Sequence, residues 1–83
     1  MQRKLPFDCE VLDYPETVQN PFSGESIELS PDAVAVYEVT MGANMLAEGV
    51  SDPKKKEHFY KTVRKGLTWF RKHEPKAYMV LLD

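Results

Sequence analysis

Eighty-three residues, 42% apolar and 29% charged, are enough for one domain with a thin core and too apolar for wholesale disorder. Cys9 is the single cysteine, which excludes an intrachain disulfide and a zinc site built on thiolate pairs, and no stretch nears the roughly 18 apolar residues of a membrane span. The net charge of −2 is unevenly laid out: residues 1–52 hold two basic and ten acidic side chains, residues 53–83 nine basic and three acidic.

Residues 1–29 read as a β- and turn-rich segment and residues 30–83 as the helical part of a single small domain. Arg3 and Lys4 are not followed by an apolar run, so the start does not resemble a secretory signal and the expected location is the cytoplasm, of its own cell or of a host. Phe7, Cys9 and Val11 alternate with Asp8, Glu10 and Leu12, a strand-like pattern that Pro15 closes. Asn20-Pro21-Phe22-Ser23-Gly24 is the clearest turn, because Pro21 presets its φ and Gly24 accepts a positive one. Val18 before it, and Ile27 and Leu29 after it, predict a small β-hairpin.

Ser30-Pro31-Asp32 is a helix start, with a capping hydroxyl, a proline for the first turn and an acid at the positive end of the dipole. The helix is expected to run to about Glu48, with Gly49 ending it. It is apolar on two sides: Val34, Tyr37, Met41 and Met45 on one, Val36, Val39, Ala43, Leu46 and the trailing Val50 on the other. Ala35 and Gly42 lie between these stripes, where a second backbone has room to approach. A homodimer seated on Ala35, Met41, Gly42 and Met45 is one expectation from that pattern; cover on both sides by the rest of the chain is the other.

Asp52-Pro53 repeats the start signal and predicts a second helix to about His73, packed antiparallel on the first through a short connection. Phe59, Tyr60, Val63, Gly66, Leu67 and Phe70 form its apolar face; Lys61, Arg64, Lys65, Arg71 and Lys72 form its basic face. Pro75 breaks the chain, and the apolar tail 76–83 is expected to close the core, as helix rather than strand. The fold class is therefore mainly α (α+β): a two-helix antiparallel hairpin with a small N-terminal β-hairpin and a short C-terminal closing segment.

The chemistry-bearing residues are sparse. His58 and His73 stand about 22 Å apart along one helix, too far for one metal ion, so neither a metal nor a cofactor is expected. Nothing around Cys9 resembles a nucleophile or oxyanion motif, and the acids Glu10, Asp13, Glu25 and Glu28 read as solvated charges, so no enzyme is expected. The basic face remains, with Lys61, Arg64, Lys65, Trp69, Arg71 and Lys72 as candidate partner-binding residues. Interleaved cations and an aromatic suit a phosphate backbone with a stacked base; the same cations suit an acidic protein, acids of the chain's own first half, or water alone. The negative total favours a protein partner, or self, over nucleic acid.

Two stretches carry a resemblance. Asn20-Pro21-Phe22-Ser23-Gly24-Glu25 with Leu29-Ser30-Pro31, and Trp69-Phe70-Arg71-Lys72 with Pro75-Lys76-Ala77-Tyr78-Met79 and Leu81-Leu82-Asp83, resemble the two ends of small uncharacterised proteins of marine tailed phages. The resemblance implies a viral origin and assigns no activity, cofactor or site residue. Together these readings predict a non-enzymatic phage accessory protein acting by protein–protein interaction in the host cytoplasm. A nucleic-acid-binding protein and a virion or assembly component are the alternatives.

Overall fold

A computed structural model describes residues 3–82. The order of elements is β1 (Glu16–Gln19), β2 (Ser26–Leu29), α1 (Pro31–Gly49), α2 (Pro53–His73) and α3 (Pro75–Ala77), the last running into a π-helical turn (Tyr78–Leu82). The sheet is a two-stranded antiparallel hairpin with Val18 opposite Ile27 and Glu16 opposite Leu29. Gly24 has a φ of +79°, the single positive φ among the described residues, and it closes the reversal by donating its N–H to the Asn20 carbonyl at 2.9 Å. The tail is helical, as its apolar run suggests. Its widened turn is tied to the hairpin by Asn20 Nδ2, which donates to the Val80 carbonyl at 2.9 Å.

Both helices begin at the expected Pro, but the two caps differ. Asp52 Oδ1 accepts from the Lys54 N–H at 2.9 Å, a standard side-chain cap. Ser30 does not cap α1. Its hydroxyl donates to Asp32, and Asp32 Oδ1 itself accepts from the Ala33 N–H at 2.8 Å. The acid displaces the serine because a carboxylate is the stronger acceptor at the positive end of the helix.

The helices pack along a stripe that the apolar pattern drew a little off centre. Val36, Thr40, Ala43 and Ala47 recur at steps of four and three residues, and all are buried. Thr40 sits against Gly66 of α2 so closely that a Cβ at Gly66 would stand 1.8 Å from Thr40 Oγ1. Between the two helices the close approach is made at Gly66. Ala35 is buried within the fold, and a Cβ at Gly42 would meet nothing within 4 Å.

The core lies at one end of the helical hairpin. Leu29, Ala33, Val34, Val36, Trp69, Phe70 and Ala77 are its buried members, with Val18, Ile27, Tyr78, Leu81 and Leu82 packed on them. The stripe Val34–Tyr37–Met41–Met45 is thus covered over its first half, where the Tyr37 ring meets Phe70 edge-on at 6.4 Å. Over its second half Met41 and Met45 are exposed, as is Leu46 beside them.

Residues 5–15 form no strand. The alternation there is real, since Phe7, Cys9 and Val11 are half-buried while Asp8, Glu10 and Leu12 are exposed. Among the described residues no third strand pairs with it, so the segment lies over the core without a ladder.

Candidate functional site

Arg3 is the hinge pin of the site. Its Nε and Nη2 grip both Asp32 oxygens at 2.9 and 3.0 Å, a bidentate pair at the start of α1. Its Nη1 donates to Glu74 Oε2 at 2.7 Å and to the His73 carbonyl at 3.0 Å, at the end of α2. Nη2 also donates to the Ser30 hydroxyl at 3.1 Å. One guanidinium therefore ties the N-terminal segment to the start of one helix and the end of the other. The pairing with Arg3, offset in part by burial, holds the Asp32 carboxyl down at about 2.

The same guanidinium lies over the Trp69 ring, 4.8 Å from its centroid, and the indole Nε1–H donates to the Lys4 carbonyl at 2.8 Å. Phe70 and His73 close in on Trp69 at 5.3 and 5.1 Å. Trp69 is only 5% exposed. This corrects the expectation of an edge residue free to stack a base: its face is already covered by Arg3.

Held this way, Lys4, Leu5 and Pro6 run as a strap beside α2, and a groove of about 640 Å³ opens between them. Lys61, Arg64, Lys65 and Lys72 line the helix side of the groove; Leu5, Pro6 and the edge of Trp69 give it an apolar floor. Lys61 and Lys72 are about 16 Å apart along α2. Of the six candidate binding residues the groove gathers five and leaves out Arg71, whose guanidinium lies 5.6 Å over the Tyr78 ring on another side. Lys4, Leu5, Pro6, Thr68 and His73 join the site, although nothing in the sequence pattern marks them for it.

Acids of the chain's first half do not neutralise these cations. Among the described residues both ion pairs belong to Arg3, so pairing of the α2 cations with acids of the chain's own first half, one of the readings of the sequence, is not made. Among the described residues none of the groove's cations makes an ion pair, and they stand around an apolar lining.

No family model, no curated protein and no solved structure matches the chain. The site must be judged on its own chemistry.

Among the described residues no three His, Cys, Asp or Glu stand together as a metal site would need, and no helix is long and apolar enough to cross a membrane. Cys9 is half-buried against the core; that burial, then the charges of Asp8 and Asp32, hold its thiol above the ordinary range. A nucleophile needs the opposite shift.

Proposed function

We propose that this chain is a non-enzymatic interaction module, a small phage accessory protein acting in the host cytoplasm, and that it binds an acidic segment of a protein in the groove between the N-terminal strap and α2. The observation that carries the proposal is the pairing of unneutralised cations with an apolar floor in one concavity. Cations on the rim draw in and orient an acidic chain, and an apolar side chain anchors it below. Nucleic acid fits less well. The one tryptophan, the natural platform for a base, is roofed by Arg3, and the total charge is negative.

Fluorescence anisotropy tests the reading with two probes, a labelled peptide rich in Glu with one Phe, and labelled oligonucleotides. The peptide is expected to bind, more weakly as salt rises, and to be lost in a Lys61→Glu, Lys65→Glu variant. Random duplex, single-stranded DNA and RNA are expected to bind no tighter than about 10 µM at physiological salt. Submicromolar oligonucleotide binding that falls steeply with salt and vanishes in that variant would put nucleic acid in the groove instead.

A further inference from the structure

Phe22 stands at the tip of the β-hairpin and is 97% exposed, the barest large apolar side chain among the described residues. The backbone beneath it is firmly built. Asn20 N–H donates to the Glu25 carbonyl at 2.8 Å, and Asn20 Oδ1 accepts from the Phe22 N–H at 2.9 Å. Gln19 Nε2 donates to the Gly24 carbonyl at 3.0 Å, and the Ser23 hydroxyl accepts from the Glu25 N–H at 3.2 Å. Asn20 also holds the tail through Val80. A phenylalanine left in water by a floppy loop means little; one presented by a turn with this many internal bonds is preorganised for burial.

The hairpin is also purely acidic. Residues 16–29 carry Glu16, Glu25 and Glu28 and no Lys or Arg. The molecule therefore holds two complementary parts: an acidic knob two strands wide with a bare phenyl ring at its end, and a basic groove with an apolar floor. In the folded chain the knob does not fill the groove: Phe22 is bare, no hairpin residue lines the groove, and Asn20 is fastened to the tail.

We infer that the groove takes the hairpin tip of a second copy of this chain, with Phe22 against Leu5, Pro6 and the edge of Trp69, and Glu25 and Glu28 against Lys61, Lys65 and Lys72. The inference rests on the groove reading above and names its occupant. The contact is heterologous, because each copy offers a knob to one neighbour and a groove to another. A dimer joined back to back through α1 is electrostatically poorer: Glu38 and Glu48 flank Met41 and Met45 and α1 carries no cation, so antiparallel seams about those methionines set acids against acids.

Sedimentation velocity of the full chain, across the micromolar range and at two salt concentrations, is the first test. The average mass is expected to rise with concentration and to rise less in high salt. Phe22→Ala, which removes an exposed ring and nothing from the core, is expected to weaken association about tenfold or more. Lys61→Glu, Lys65→Glu is expected to do the same. Mixing these two variants decides the geometry: each keeps one working half, so together they form 1:1 dimers and nothing larger. In that mixture, labelled Phe22→Ala chain shows NMR shifts at Lys4, Leu5 and the Trp69 indole N–H, and labelled Lys61→Glu, Lys65→Glu chain shows them at Asn20 to Glu25.

A chain that stays monomeric at several hundred micromolar overturns the inference. So does association that survives both variants but disappears in Met41→Glu, Met45→Glu. If the chain is monomeric yet the Glu-rich peptide still binds and needs Lys61 and Lys65, the groove reading stands and only its occupant is wrong; if the peptide binds the Lys61→Glu, Lys65→Glu variant equally well, the reading itself falls.

Discussion

The two ends of the helical hairpin are built from the same two helices, yet only one end is finished. At the end holding the start of α1 and the close of α2, Phe70 is wholly buried, with Leu29, Val36 and the Arg3 clasp around it. At the end holding the close of α1 and the start of α2, Met45 is 73% exposed and Lys54, Lys55 and Lys56 all face water. The helices do not account for the difference, because each is continuous from end to end. It comes from what else reaches them: the β-hairpin, the strap and the tail all arrive at one end, and nothing described arrives at the other. In a chain this short, a core is made where the irregular segments go.

Substitutions can test that contrast, and the largest effect is expected at its centre. Phe70→Ala should cost about 3–5 kcal/mol through a cavity that the surrounding elements cannot close. Urea unfolding would show a midpoint moved far toward zero denaturant; a loss below about 1 kcal/mol would mean that the finished end is loosely packed. Gly66→Ala comes next. The added methyl gains up to about 1 kcal/mol of helix propensity but collides with Thr40, whose hydroxyl is engaged by the Val36 carbonyl at 2.7 Å. Overpacking should win, for a net loss of about 2 kcal/mol, and a stabilised variant would show that the helices can slide apart at no cost.

The clasp should matter about as much. Arg3→Ala leaves Asp32 and Glu74 without their partner and should cost about 2 kcal/mol. It also gives the fold an acid dependence with a definite sign. The folded-state value of Asp32, about 2, lies below its ordinary 3.8. The stability it lends is therefore fully present above pH 4 and lost as the pH falls through 4 toward 2. Allowing for solvent screening, that loss is on the order of 1 kcal/mol. Arg3→Ala should remove this part of the acid transition; an unchanged acid profile would show that Asp32 owes its shift to something else. The smallest effect belongs to the unfinished end, where Met45→Ala should change stability by no more than about 0.5 kcal/mol. A larger loss in a monomeric sample would show that this end is packed after all.

The sequence revealed the elements better than it revealed the site. Both helix starts, the turn at Asn20 to Gly24 and the helical hairpin were legible because their causes are local: a cap, a proline, a glycine, a period of 3.6. Thr40 is invisible to an apolar pattern because a polar residue does not register in it, although it is the one that meets Gly66 at the close approach. Arg71 shares the basic side of α2 in the sequence pattern and lies only about 20° from Arg64, but it stands two turns further along the helix, where the Tyr78 ring claims it. Trp69 sits at the border between faces, where periodicity assigns it to neither side; the strap is what buries it. The strap itself has no period at all, and Arg3 finds its partners 29 and 71 residues away, so no window of the sequence holds both ends of that contact.

That separation has a kinetic side. Contacts between residues so far apart must wait for most of the chain to be placed, because closing so long a loop is unfavourable until other packing has brought its ends together. The helices and the hairpin can begin to form from neighbouring residues alone, whereas the strap cannot be fastened until residue 74 has been synthesised and α2 has docked. One wall of the groove is therefore among the last parts of the molecule to be set. A partly folded chain would carry the acidic knob before it carries a place to receive one. Pulse-labelled hydrogen exchange should find the Trp69 indole N–H protected later than the amides of α1 and α2; if the groove takes the knob of a second copy, copies meet only as finished molecules.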